Sequence, residues 1–194
     1  DDAAAELRRL AGPFVQRLTL HRADASDAEA MSELAGSIGG PLHGLVLCAA
    51  PPPLPMGLVP ESAVELADYV ARSTSLTAIP LAAFLPLIEA EGAWILFYST
   101  AELEAPNRDL PQFTAAKAAV EGLAKWAAAA HPRTRVLVAR VPRMRTDLAN
   151  TPSSRRASAA PEAVAASILS RIAGDDLEPG LSVFEPDAAE LPTR

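Results

Sequence analysis

Three short apolar runs constrain the fold of this sequence more than any other feature. They occupy residues 42–50, 93–99 and Arg135–Val141. Each is apolar on both faces and too short for a buried helix, which is typical of strands in a parallel sheet covered on both sides. Because segments of helical character separate the runs, the sequence predicts strands joined by right-handed helical crossovers.

Helix-forming segments alternate with these runs along the chain. The predicted helices cover residues 3–11, 28–36, 61–91, 113–130 and Pro161–Ala173. Ser26 or Asp27 caps the second of them, and Pro80 and Pro86 kink or break the third. Residues 15–20 and 181–184 are predicted as two further strands. The fold class is therefore an α/β, incomplete Rossmann-like three-layer sandwich with a mainly parallel sheet.

Length and charge exclude several classes of protein. The chain has 194 residues, of which 49% are hydrophobic, and this suffices for one compact domain. A formal net charge of −7 argues against a nucleic-acid partner, which would select clustered Lys and Arg. Residues 36–60 carry no charge, but their prolines prevent a continuous helix, so no membrane partner is expected.

The positions of cysteine and histidine limit the disulfides and metal sites that the chain can form. Cys48 is the one cysteine and lies in an apolar run, so we expect no disulfide and a cytoplasmic location. The histidines at 21, 43 and 131 have no ligand spacing, so no metal site is predicted. A buried, inert thiol is the favoured interpretation of Cys48.

A polar constellation follows the second apolar run. Tyr98-Ser99-Thr100 precedes, by twelve residues, the sequence Phe113-Thr-Ala-Ala-Lys117. This order resembles the Ser/Tyr/Lys catalytic block of the short-chain dehydrogenases/reductases, with phenylalanine at the tyrosine position. The family's other segments are matched in order by Asp24 in ADASD, residues 47–50 (LCAA), residues 141–147 (VPRMRTD) and residues 160–165 (APEAVA).

The resemblance implies roles for individual residues. Thr100, Phe113 and Lys117 take the catalytic positions, and Asp24, Ala49, Lys117 and Thr146 take cofactor-binding positions. In the family the tyrosine donates a proton to the substrate oxygen, and the lysine lowers its pKa and holds the nicotinamide ribose. Phe113 has no such proton, and loss of a general acid costs about 10²- to 10⁴-fold in rate.

Other interpretations of these residues stay open. Thr100 is a candidate hydroxyl donor to a carbonyl, and Tyr98 is a candidate substitute acid or an ordinary packing residue. Lys117 fits a solvated or ion-paired side chain as well as a catalytic one. Asp24 fits a helix cap, and Thr146 fits a turn or cap.

The amino-terminal part of the sequence lacks the family's Gly-x-x-x-Gly-x-Gly turn, which approaches the pyrophosphate at a helix amino terminus. The glycines at 36, 39 and 40 are predicted to end a helix. We therefore expect residues 1–194 to form a single domain that lacks the family's first βαβ unit and binds no cofactor as written. The strand at 15–20 would then pair with residues 42–50 or leave the sheet.

These departures favour a catalytically degenerate domain over an enzyme. Residues 41–46 (PLHGLV) are similar to ketoreductase domains of polyketide and fatty-acid synthases, which implies a structural, dimerisation or partner-supporting role in a larger assembly. The expected partner is a second copy, through the 61–91 and 113–130 helices, or a neighbouring synthase domain. The alternative is an NADPH-dependent ketoreductase for β-ketoacyl or similar carbonyl substrates whose nucleotide-binding segment precedes this sequence.

Overall fold

A parallel sheet of four strands lies at the centre of the computed structural model, which describes residues 2–88, 90–145, 159–174 and 178–187. The strands are β1 (Gly44–Leu47), β2 (Trp94–Thr100), β3 (Arg135–Val141) and β4 (Gly180–Phe184). They lie in the order β1-β2-β3-β4, and every pair is parallel. The predicted parallel α/β fold is confirmed.

Five α-helices accompany the sheet in the described part of the chain. They are α1 (Asp2–Ala11), α2 (Ala28–Ile38), α3 (Ala63–Phe84), α4 (Pro111–Ala130) and α5 (Pro161–Ala173). All five were predicted, with ends that shift by a few residues. Pro111 and Pro161 each occupy the first turn of their helix, where the missing N–H has no helical partner to lose.

The side chains of β2 alternate between the two faces of the sheet. Ile95 and Phe97 point to the face covered by α3 and α4, where they meet Leu81 and Val120. Leu96 points to the other face, where α5 contributes its apolar side chains. Helices therefore cover both faces of β2, and the molecule has the predicted three layers.

The long helix of the sequence is confirmed, but its two prolines act differently. Pro80 is accommodated inside α3, whereas the α-helix ends at Phe84 and a 3₁₀ turn, Leu85–Leu87, contains Pro86. By length and composition alone, Pro60–Leu87 is long and apolar enough to cross a membrane. In the structure α3 packs against α2, α4 and β1, with Leu81 in the core.

The predicted strand at residues 15–20 is wrong. Residues Gly12–Arg17 form a 3₁₀ helix, Leu18 is extended, and residues 18–20 belong to none of the described strands. Pro13 fixes its own φ at the start of this turn, and the N–H of Leu18 donates to the carbonyl of Val15, which closes the turn. The segment therefore follows the alternative in which it leaves the sheet.

The turns around α2 settle two open assignments. Asp27, not Ser26, is the N-cap, and its carboxylate accepts hydrogen bonds from the backbone N–H groups of Glu29 and Ala30. Gly39 ends the helix with a φ of 68°, a left-handed conformation that favours glycine. The glycines after α2 therefore include a helix stop, as predicted.

Gly44 at the start of β1 provides a test of how tightly the sheet edge packs. A Cβ at this position would overlap the indole ring of Trp94, its partner on β2. We expect Gly44→Ala to lower the free energy of unfolding by about 1–3 kcal/mol, measured by urea denaturation. The matched control is Gly122→Ala in α4, where nothing lies within 4 Å of the added Cβ and helix propensity predicts a gain of up to about 1 kcal/mol. Equal stability of Gly44→Ala and the wild type would contradict this packing.

Candidate functional site

A cleft of about 510 Å³ opens beside the carboxyl ends of β1, β2 and β3. Its walls come from the segment after β1, the last residues of β2, the first half of α4 and the segment after β3. Ligands of open parallel sheets bind outside the carboxyl ends of the strands, so the cleft is where the fold favours a site. The walls are mainly apolar and include Pro51, Pro53, Pro55 and Leu110.

The three residues at predicted catalytic positions lie together in this cleft. Thr100 is the last residue of β2, and its hydroxyl oxygen accepts a hydrogen bond from the N–H of Glu102 at 3.2 Å. Phe113 and Lys117 lie one turn apart on α4, and the lysine Nζ is 5.7 Å from the centroid of the phenylalanine ring. This distance allows a cation–π interaction. Three residues that stand apart in the sequence therefore line one cleft in the structure.

Lys117 is buried without an ionic partner. The residue is 8% exposed, and Nζ donates to the carbonyl oxygen of Tyr98 at 2.9 Å. No carboxylate lies within ion-pair distance of it in the described ranges. Burial lowers the pKa of Lys117, and a smaller Coulombic interaction with Cys48 opposes this shift. Neither the solvated nor the ion-paired interpretation of Lys117 describes this environment.

Tyr98 also lines the cleft, where it carries a phenol hydroxyl. Burial raises the pKa of Tyr98, and a Coulombic interaction with Cys48 raises it further. A higher pKa makes the phenol a weaker acid at neutral pH. Its side chain packs against the apolar cluster of Leu96 and α5, and its raised pKa counts against Tyr98 as a substitute proton donor.

A buried ionic network supports the floor of the site, and the sequence analysis missed it. The hydroxyl of Ser99 donates to Glu121 at 2.7 Å, and Arg140 donates to both oxygens of Glu121 at 2.9 and 3.0 Å. Arg140 also pairs with Glu104. The network joins β2, α4 and β3 at Ser99, which lines the cleft and pairs with Arg140 in the sheet register. Two charged residues within apolar stretches, Glu121 and Arg140, were the available signal.

Several effects act on the pKa of Glu121, and those that lower it outweigh burial. Burial by itself raises its pKa, but hydrogen bonds from Arg140 and Ser99, together with the charges of Arg140 and Lys125, hold it below its usual value. Glu121 is therefore ionised at neutral pH. The hydrogen bonds and charge of Glu121, together with the smaller contribution of Glu104, raise the pKa of Arg140.

A second ion pair crosses the rim of the cleft. Arg143, which follows β3, donates to Glu102, which follows β2, at 3.0 Å. Both side chains line the cleft and are partly exposed. The pair ties two wall segments together, and its partial exposure limits its contribution to stability.

The predicted cofactor-binding residues are less closely grouped. Lys117 lines the cleft, and Ala49 lies between Cys48 and Ala50, which both line it. Asp24 is exposed, and its carboxylate accepts hydrogen bonds from the N–H and hydroxyl of Ser26, which lower its pKa. Thr146 lies outside the described residues. The assignments of all these residues to a cofactor stay predictions.

Comparisons with known proteins identify the fold. No protein-family model and no curated protein matches the chain. A dehydrogenase/reductase from Sinorhizobium meliloti 1021 is 19% identical, with a TM-score of 0.76, over 97% of this chain and 82% of its own. A short-chain dehydrogenase from Escherichia coli CFT073, solved with NADPH, is 18% identical, with a TM-score of 0.77, over 93% and 81%. A short-chain dehydrogenase from Shigella flexneri 2a, solved with NADP, is 18% identical, with a TM-score of 0.76, over 93% and 82%.

These structures show that the chain has the Rossmann-like fold of the short-chain dehydrogenases/reductases. They also contradict the expectation that a chain of this kind has no cofactor, because the Escherichia coli and Shigella flexneri proteins were solved with NADPH and NADP. The missing glycine turn is a local feature of the sequence. It was too narrow a basis for excluding a nicotinamide nucleotide from the whole fold.

The Glu121 network predicts a pH-dependent contribution to stability. Because the pKa of Glu121 is lowered in the folded state, the stabilisation is present above the usual carboxyl range and is lost as the pH falls through the folded-state pKa. We expect Glu121→Gln to lower the free energy of unfolding by about 1–3 kcal/mol at pH 7. The difference from the wild type should shrink as the solution is acidified.

Urea denaturation between pH 7 and pH 3 measures this effect. The control is Glu65→Gln on the exposed surface of α3, which should change stability by less than about 0.5 kcal/mol. A Glu121→Gln deficit that is independent of pH would rule out the ionised network as its cause.

Proposed function

We propose that this chain is an NADP(H)-binding domain with a short-chain dehydrogenase/reductase fold and a degenerate catalytic site. Phe113 is the observation that carries the proposal. Its ring lies beside the buried amine of Lys117 in the cleft, at the position where the resemblance places a tyrosine. The site therefore retains the lysine of the predicted catalytic pair and lacks the acid.

The cleft fits the nicotinamide end of the nucleotide. Nζ of Lys117 has three N–H donors and uses one on the carbonyl of Tyr98, so two are available for sugar hydroxyls. Thr100 offers a hydroxyl in the same cleft, and the segment from Val141 to Met144 also lines it. When bound, the nicotinamide supplies or accepts a hydride.

The phosphate end fits less well. The sequence has no Gly-x-x-x-Gly-x-Gly turn, and Gly39 serves as the stop of α2. Backbone N–H groups at a helix amino terminus are the usual support of a pyrophosphate. We therefore expect weaker binding than a complete dinucleotide site gives, with affinity concentrated at Lys117.

The remaining residues of the site can orient a carbonyl but transfer its proton poorly. The hydroxyl of Thr100 accepts from the N–H of Glu102, which leaves its own hydrogen to donate. Phe113 excludes water from one side of Lys117 and offers no proton. Carbonyl reduction at this site is thus slower by about 10²- to 10⁴-fold than with a positioned acid.

A domain of this kind serves as a structural or partner-supporting unit, and we propose this role within a polyketide or fatty-acid-type assembly. The partner surface would be formed by α3 and α4, which pack side by side and leave Val64 and Trp126 exposed. The partner would be a second copy of the chain or a neighbouring synthase domain. A cytoplasmic location accords with this role.

One observation favours a second candidate function, an NADPH-dependent ketoreductase for a β-ketoacyl or similar carbonyl group. Tyr98 places a phenol in the same cleft as Lys117 and Thr100. Its burial raises its pKa, which weakens it as an acid. The two candidates differ in turnover and agree on the cofactor.

Isothermal titration calorimetry with NADPH and NADH tests the shared part of both candidates. We expect saturable NADPH binding with a Kd at or below about 0.1 mM, and a loss of at least about tenfold in Lys117→Met. The control is Lys125→Met, an exposed lysine on the same helix, which should bind as the wild type does. Absence of binding heat up to millimolar NADPH would contradict the cofactor proposal.

Restoring the hydroxyl tests the degenerate site. We expect Phe113→Tyr to raise the rate of NADPH oxidation with β-ketoacyl thioesters by about 10²-fold or more. The control is Phe14→Tyr, which adds the same hydroxyl at an exposed position outside the cleft and should have no effect. If the wild type already matches Phe113→Tyr and Tyr98→Phe abolishes its activity, the ketoreductase candidate replaces the degenerate one.

A further inference from the structure

Charge is unevenly distributed along the first third of the chain. Residues 7–22 contain four arginines and no acidic residue, whereas residues 23–71 contain seven acidic residues and no Lys or Arg. We call residues 7–22 the basic arm. In a chain whose net charge is −7, such a segment attracts an acidic partner surface.

The basic arm also exposes apolar side chains. Leu7, Leu10 and Phe14 are 50%, 66% and 63% exposed, and none of the side chains described in the arm is buried. Leu7 and Leu10 are three residues apart on α1, so they share a face of that helix. A helix of ten residues is marginally stable in water by itself, and a partner that covers this face would stabilise it.

A surface of complementary character lies on residues 54–68, which we call the acidic surface. Glu61, Glu65 and Asp68 are exposed there, and none of them forms an ion pair within the described ranges. Carboxylates three and four residues apart along a helix repel each other, and a cationic partner would relieve that repulsion. The surface also exposes four apolar side chains, Leu54, Leu58, Val59 and Val64.

The basic arm and the acidic surface do not bind each other within one molecule. Arg9 pairs with Glu6 of its own helix, and no hydrogen bond or ion pair joins the two segments in the part of the chain that the structure describes. α1 contacts chiefly the 3₁₀ turn that follows it. Both segments are therefore available to a second molecule.

We propose that the basic arm of one molecule binds the acidic surface of a second copy of this chain, and that the second copy returns the same contact. One chain carries both complementary segments, and two reciprocal contacts close a two-fold dimer. The apolar side chains of the arm would cover those of the acidic surface, while its arginines meet the carboxylates. This inference rests on the second copy named in the proposed function and specifies the segments that join the two copies.

Charge reversal on either side tests the contact. One variant carries Arg8→Glu and Arg17→Glu, and the other carries Glu61→Arg and Glu65→Arg. All four side chains are exposed, so both variants should fold, which circular dichroism checks. Sedimentation velocity of the full chain should show a wild-type dimer. We expect each variant alone to dimerise at least about tenfold more weakly, because like charges then oppose each other in both contacts.

Mixing the two variants separates a specific contact from a general effect of charge. In the heterodimer both contacts again pair opposite charges, so we expect its Kd to lie within about threefold of the wild-type value. The matched control carries Arg108→Glu and Arg133→Glu, which change the net charge as the arm variant does at exposed positions outside both segments. This control should dimerise as the wild type does.

Three outcomes would overturn the proposal. The first is a wild type that stays monomeric up to about 0.1 mM, or a mixture of variants that does not recover the dimer. The second is a wild-type dimer that both charge reversals leave intact, which would leave the α3–α4 partner surface standing. The third is monomeric protein that binds phosphatidylglycerol vesicles through the arm, which would assign the arm to an anionic membrane.

Calorimetry with NADPH on the same variants keeps this inference separate from the cofactor proposal. The basic arm and the charged residues of the acidic surface do not line the cleft, so both variants should bind NADPH as the wild type does. Loss of the dimer with unchanged nucleotide binding is the expected result.

Discussion

Burial of β2 and β3 on both faces is the constraint on which the rest of the structure depends. Each strand must be covered by helices above and below, and α3 and α4 on one face and α5 on the other provide this cover. Parallel strands joined by such helices all end at one edge, so the cleft, Thr100 and the segment after β3 are placed together by topology. The Ser99–Glu121–Arg140 network is the polar counterpart of this packing, because it joins the two strands to α4 where the apolar core stops.

Phe113 and Lys117 form the polar and aromatic pair at the centre of the cleft. The amine of Lys117 lies 5.7 Å from the centroid of the Phe113 ring and donates to the backbone carbonyl of Tyr98. If Phe113 stands at the tyrosine position, as we propose, the ring keeps its contact with the lysine and brings no hydroxyl to it. Solved dehydrogenases and reductases share this fold at 17–19% identity, so the sheet and its covering helices tolerate wide change in sequence.

The sequence predicted most of the fold because its signals are local. The strand Arg135–Val141 can be predicted from its own apolar residues, and helix α2 can be predicted from its own capping residues. Residues 15–20 misled because an extended, apolar composition predicts a strand only if a neighbour exists to pair with it. The order of Thr100, Phe113 and Lys117 singled out three residues that line one cleft. The Glu121–Arg140 pair was missed, because two charges in apolar stretches indicate burial but do not show which residues pair. The interpretation of Cys48 as a buried thiol was wrong, since Cys48 is exposed just beyond the end of β1 at Leu47, and periodicity does not fix where a strand ends.

The edge of the sheet at β1 has a consequence for how copies of this chain behave when concentrated. Within the described residues β1 is hydrogen-bonded on one side only, and Val46 is 46% exposed on it. An open, apolar strand edge invites strand addition between molecules, and the hazard grows with the length of the edge. Here the strand is four residues long, and three consecutive prolines, which cannot donate to a ladder, begin four residues after Leu47. Pro51 and Pro53, which also line the cleft, thereby help to keep the exposed edge short, and a short edge is a poor template for strand addition.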